Sequence, residues 1–339
     1  MEADHRMSKK KIAILIILPV VLFFLSLFIG RYPMSILTPV KLLLSKVFYI
    51  KPDWTPMVEA VIFQIRLPRA ILAMFVGASL SISGASFQGM FKNPLVSPDI
   101  LGVSAAAGFG AALIILTGGN AAAIQIFAFV FGIAGVALTY LISRVYKTTP
   151  ILMLVLSGVV VGSLFSALIS VTKYIADPYS RLPQITFWLM GSLASVSMKD
   201  VIKVIIPMIV GMTGLMLVSW RLNVLSMGDE EARSLGIRTE VLKGFIIVCC
   251  TLLSASAVSV VGMVGWVGLV IPHIGRMLVG PDHKVLLPAT LSIGACFLLI
   301  VDDIARAATR AEIPLGILTA IIGAPFFAYL IRKTKGGTI

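Results

Sequence analysis

Ten runs of apolar residues, each cut from the next by charges or by a Pro/Gly break, are what this chain must accommodate before anything else. They lie approximately at 12–30, 61–83, 99–117, 121–142, 151–171, 201–220, 244–262, 263–279, 285–305 and 314–331. About 20 such residues cross the hydrocarbon of a bilayer. Backbone groups in lipid must be satisfied within the segment, so runs of this length mean helices. The period-2 alternation of a membrane barrel is absent. Only 13% of the residues are charged, against about 25% in an ordinary soluble domain, so a water-soluble core with a polar coat is excluded. The expected fold is an all-α polytopic membrane protein of about ten transmembrane helices, with one domain over 1–339 and its helical bundle at 12–331. The seventh and eighth runs share "SVVGMVGWVGLVIPHIGR", which has no polar break. The length from Gly244 to Val279 is too much for one crossing, so two are expected, the second short.

Lys9, Lys10 and Lys11 precede the first run in the manner of a signal peptide. The run is long, however, and no small-residue cleavage site follows Gly30, so it reads as a retained span. With ten spans both termini share a side, and Arg332, Lys333 and Lys335 after the last run place that side in the cytoplasm. The opposite face then still carries Arg66, Arg69, Arg306 and Arg310 at the ends of spans, so it is basic and points to a partner. Segments 31–60 and 172–200 become outer loops. The first carries an amphipathic "ILTPVKLLLSKVF", and the second an "ITFWLMGSLASV" too brief to cross. Cys249, Cys250 and Cys296 fall inside apolar runs and read as small hydrophobes in helices.

Several chemistries are missing. There is no GxxxxGK[ST] to cradle nucleotide phosphates, no HExxH and no GxSxG. Acids near a span are confined mainly to Asp302 and Asp303, beside Arg306, which read as an interfacial ion-pair cluster. The interiors of the spans offer small and hydroxyl residues instead, as in "GASLSISGAS" (77–86) and "SGVVVG" (157–162). Small residues four apart, such as Gly158 and Gly162, let helices pack closely.

Against this background one stretch is strongly polar: "LSMGDEEARSLGIRTEVLKG", 225–244. Ser226 and Asp229 fit a helix start, and Asp229, Glu230 and Glu231 occupy the favourable first turn. Gly236 is a natural stop, Ala232 and Leu235 provide a small apolar face, and Thr239 caps a second turn. Two short helices between spans six and seven can fill a groove on a partner.

These residues resemble the cytoplasmic coupling loop of the iron-chelate, haem and cobalamin uptake permeases, the ten-span subunits of type II ATP-binding-cassette (ABC) importers. The resemblance extends to "QIRLPRAILAMFVGASLSISGASFQGMFKNPLVSPDILGVSAAAG" (64–108), "GWVGLVIPHIGRMLVGPDHKVLLP" (265–288) and "AEIPLGILTAIIGAPFFAYLI" (311–331). It implies a multi-pass permease of the cell membrane that forms a homodimer or heterodimer within lipid. Two ABC ATPase subunits would bind below it and an extracytoplasmic substrate-binding protein above. ATP and Mg would then belong to the ATPase, with no cofactor or metal on this chain and no nucleic-acid partner. By the same resemblance Gly228, Asp229, Glu230, Glu231, Ala232, Arg233, Leu235 and Gly236, within a loop at 225–243, contact the ATPase. Arg66, Arg69 and Arg306 receive carboxylates of the binding protein, and Thr148 and Thr149 stand at a cytoplasmic gate. The expected cargo is a ferric siderophore or a similar bulky metal chelate, with haem and cobalamin as alternatives. An ion-coupled secondary transporter is the other class, disfavoured by the scarcity of charge within the spans.

Overall fold

The computed structural model describes residues 9–333 apart from 33, 36, 47, 50 and 145–148. Helix α1 (Lys9–Ser26) and short α2 (Thr38–Ser45) lead to α3 (Pro56–Ala60), which runs through a π-helical turn at Val61–Arg66 into α4 (Leu67–Phe91). A 3-10 turn at Pro98–Leu101 opens α5 (Val103–Leu116), followed by α6 (Ala121–Ser143), α7 (Ile151–Ile175), α8 (Arg181–Met190) and α9 (Met198–Leu217). Two short helices, α10 (Ser219–Met227) and α11 (Asp229–Ser234), precede α12 (Thr239–Val261), α13 (Val267–Val279), α14 (His283–Ala307) and α15 (Leu315–Lys333). No strand occurs among the described residues.

Local chemistry marks several of the starts. Asn120 accepts from the Ala123 amide at 2.9 Å ahead of α6, and Ser197 with Asp200 forms a reciprocal capping box on α9. Both satisfy amides that a helix leaves unpaired at its first turn. Among the described residues, six stretches are long and apolar enough to cross a membrane: Pro56–Phe91, Ala121–Ser143, Ile151–Ile175, Met198–Leu217, Thr239–Val261 and His283–Ala307. Shorter apolar helices span Val103–Leu116, Val267–Val279 and Leu315–Tyr329. The short second member of the seventh and eighth pair is therefore present. A non-helical segment opens at Gly262 (φ +77°) and ends at Trp266 (φ +69°), and the 13 residues of α13 follow it.

Helix α4 is the axis of the fold and packs against α14, α12, α13 and α9. Its glycines show how. A Cβ at Gly77 would overlap the Gly294 carbonyl of α14, and one at Gly84 would overlap the Gly268 carbonyl of α13. Such backbone-to-backbone approach is a main source of packing energy where lipid supplies no hydrophobic drive. Gly158 serves the same purpose on α7, meeting the Ile100 carbonyl. The small-residue motifs thus act in close packing. By contrast α7 leaves Leu152, Leu156, Val159, Val160 and Leu164 uncovered along one side.

Two ends of the bundle follow from long-range contacts. The start of α4 meets the end of α14 through Arg69 and Asp302. At the opposite end Asn223 of α10 bonds His283, the first residue of α14. The first is called the arginine end and the second the α11 end.

Candidate functional site

At the α11 end, the polar stretch folds differently from its expected helix signals. Helix α10 continues through Ser226, whose hydroxyl donates to the Asn223 carbonyl at 2.6 Å and caps nothing. Gly228 occupies the N-cap of α11 without a side-chain bond. Thr239 is the first residue of α12 rather than the cap of a separate turn, and its hydroxyl accepts from Arg233 Nε at 3.2 Å. The stop does hold. Gly236 adopts φ +80°, with its amide bonded to the Arg233 carbonyl and the Ile237 amide bonded to that of Ala232. This paired termination favours glycine at the left-handed position.

The residues expected to meet a partner divide into two sides. Glu230, Glu231, Arg233, Leu235 and Gly236 are exposed, while Gly228 and Ala232 are buried. The expected Ala232–Leu235 apolar face does not form, because the short helix turns Ala232 inward and leaves Leu235 61% exposed. Asp229 also faces inward and ion-pairs with Lys243 of α12, which is 1% exposed. Lys243 lies 3.6 Å from Glu240, and Glu240 in turn accepts the Thr149 amide at 2.9 Å. Thr149 is 2% exposed, beside the start of α7; Thr148 lies outside the described residues. Glu240 and Lys243 are not among the site residues expected from the sequence; their i,i+3 spacing is a signal for the pair, whereas nothing local marks their distant partners.

At the arginine end, Arg66, Arg69 and Arg306 come together but do not form an exposed rim. They are 3%, 3% and 6% exposed. Arg66 closes the π-helical turn and Arg69 lies in the first turn of α4, both within the continuous helical stretch Pro56–Phe91. Pro68 has no amide for the carbonyl four residues before it, and the π-helical turn ending at Arg66 stands directly upstream of this gap. Arg66 donates to the carbonyls of Leu27 (2.8 Å), Phe28 (3.0 Å) and Tyr32 (2.7 Å). Arg69 grips Asp302 through Nε and Nη2 and reaches Glu312 through Nη1, each at 2.8 Å. Arg306 pairs with Asp303 and donates to Ser26 on α1. The ion pairs expected of Asp302, Asp303 and Arg306 form, and the cluster ties α1, α4, α14 and the approach to α15 together. Around these groups is a cavity of about 180 Å³, lined in part by Arg31, Tyr32, Arg66, Arg69, Arg306 and Glu312.

Groups of three or more potential metal ligands are absent among the described residues. The cysteines Cys249, Cys250 and Cys296 are buried and free.

Comparison with known proteins adds to this geometry. The model of the FecCD transport family matches residues 16–333. The chain is 42% identical over 323 residues, 95% of each chain, to the molybdate import system permease protein MolB of Haemophilus influenzae. It is 42% identical over 276 residues (81% of this chain, 83% of the other) to a probable iron chelatin permease of Helicobacter pylori. It is 40% identical over 279 residues (82% and 74%) to the cobalamin import permease BtuC of Halobacterium salinarum. An inward-facing metal-chelate type ABC transporter superposes with a TM-score of 0.86 at 41% identity, covering 96% of this chain and all of that one. The chain belongs to the FecCD transport family, whose members are permease subunits of ABC importers.

Proposed function

We propose that this permease moves a bulky metal chelate, a ferric siderophore first among them, into the cytoplasm. The work would come from ATP hydrolysed by a separate subunit. The observation that carries the reading is the separation of two charged clusters at opposite ends of one bundle. The α11 end offers a short charged helix whose exposed Glu230, Glu231, Arg233 and Leu235 suit the cleft of an ATPase. The arginine end offers clustered guanidiniums for the carboxylates of a binding protein. In this reading ten spans place both termini in the cytoplasm and the chain in the cell membrane. The uncovered side of α7 then meets a second permease across a two-fold axis, together with α15. Thr149 stands at the inner gate, tied through Glu240 to the region of α11.

The cargo would cross along that axis, lined by α7 and α15, and a large chelate that passes without tight binding has no need of a charged lining. A small oxyanion is the second reading, favoured by the molybdate permease that matches 95% of the chain. Haem and cobalamin belong to the same class of bulky cargo. Proteoliposomes holding the chain with its co-purifying ATPase and binding protein, loaded in turn with labelled ferric siderophore and labelled molybdate, separate these readings. ATP-dependent uptake of the siderophore alone supports the proposal. Uptake of molybdate alone replaces it. Uptake without ATP that a protonophore abolishes revives the secondary transporter.

A further inference from the structure

One carboxylate at the arginine end differs from its neighbours. The Asp302 side chain is fully buried and that of Asp303 is 12% exposed, whereas that of Glu312 is 31% exposed. Arg69 divides its donors accordingly. Nε and Nη2 hold Asp302 in the interior, and Nη1 alone holds Glu312 in the wall of the cavity. Four guanidiniums line that cavity, those of Arg31, Arg66, Arg69 and Arg306, and Glu312 is the one carboxylate among the lining residues. Arg66 has carbonyl oxygens and the Met34 sulfur as its hydrogen-bond acceptors and forms no ion pair among the described residues.

Glu312 lies in the segment between α14 and α15. That segment is otherwise held by Arg31 on the Thr309 carbonyl, by the Ile313 amide on Ala305 at 3.2 Å, and by the Leu315 amide on Gly191 at 2.9 Å. We propose that Glu312 holds the place of a carboxylate brought by the binding protein. The incoming carboxylate takes over Arg69 Nη1, frees Glu312 and loosens the entrance to α15. The exchange never strips Arg69 of its buried partner, because Asp302 stays bound throughout; a buried charge left unpaired would be strongly unfavourable. A partly exposed pair such as Arg69–Glu312 shifts an equilibrium by only about one- to fivefold, so it can yield to a competitor. This inference rests on the arginine end being the docking surface for the binding protein.

The test uses the complete transporter, permease with ATPase in nanodiscs, and the binding protein recovered with it. Glu312→Gln should tighten binding about two- to fivefold. It should also raise hydrogen exchange at 308–314 before any binding protein is added, to the level that wild type shows afterwards. In an Arg69→Gln/Asp302→Asn background, binding should be weaker and Glu312→Gln should add nothing. Equal tightening in that background would reveal a general field effect and overturn the exchange, as would unchanged affinity. If the neutral background itself binds as tightly as wild type, the docking surface falls and the exchange falls with it. Should that background not assemble, the exchange arm decides alone. Protection at 308–314 that stays constant in Glu312→Gln and on adding the binding protein overturns the proposal.

Discussion

Lys243, 1% exposed near the start of α12, ion-pairs through Nζ with Asp229 in the first turn of α11. The charged helix that makes this chain unusual is therefore anchored by a cation that solvent scarcely reaches. Asp229→Asn leaves that cation, among the described residues, with Glu240 at 3.6 Å. Lys243→Met leaves behind a carboxylate whose side chain is about a third exposed. Loss of a partner costs most when the remaining charge is buried. Asp229→Asn should therefore destabilise by about 1–3 kcal/mol, and Lys243→Met by less. Thermal unfolding of the two variants in the same detergent gives the order; the reverse order removes Lys243 as the anchor.

Coupling provides a second reading of the same network. Glu240→Ala removes the acceptor of the Thr149 amide and one neighbour of Lys243. In reconstituted transporter, ATP hydrolysis should continue while uptake per ATP falls several-fold. Uptake that keeps pace with hydrolysis would separate the α7 entrance from α11.

Arg69 and Asp302 are a buried bidentate pair, and removing Asp302 leaves the buried guanidinium with the partly exposed Glu312. Asp302→Ala should cost about 3–5 kcal/mol and cut the yield of folded protein. The neutral pair Arg69→Gln/Asp302→Asn should recover much of that yield. Size-exclusion profiles of the single and double variants decide; equal loss in both would argue that charge is not the cause.

Gly84→Val forces a side chain into the Gly268 carbonyl. Overpacking of this kind costs about 1–3 kcal/mol or more. Gly265 has open space around its would-be Cβ and no positive φ, so Gly265→Ala should be neutral. Melting temperatures of the two test the close approach of α4 to α13.

Asp282 caps α14, accepting from the Lys284 amide at 2.9 Å and from Asn223 at 2.6 Å. Partial burial raises the pKa of its carboxyl, but hydrogen bonds from Asn223 and Lys284 outweigh this and hold it below its usual range. A depressed folded value means that its contribution is present above the unfolded value, near 3.9, and is lost as pH falls through the folded one. Asp282→Ala should cost about 1 kcal/mol at neutral pH, a difference that vanishes in acid. A cost that persists at low pH would assign the effect to packing.

The class of the protein was legible because length and hydropathy act segment by segment: "VIFQIRLPRAILAMFVGASLSISGASF" must be a helix wherever it lies in lipid. The stop at Gly236 was legible for the same reason, since a left-handed residue is a local requirement. Motifs that depend on neighbours were not. Ser226 carried a capping signal, yet α10 ran through it, because tertiary packing buries Leu222 and Leu225 and extends the helix past the local start. Arg66, Arg69 and Arg306 looked like a rim when read as span ends. Folding enclosed them, since Asp302 lies 233 residues from Arg69 and Ser26 lies 280 from Arg306. Hydropathy, local motifs and family resemblance were thus enough to read a helical membrane permease with one short charged stretch. Which of its charges are free to meet a partner followed from the folded arrangement, because burial and pairing belong to chain segments that meet in space and leave no local mark.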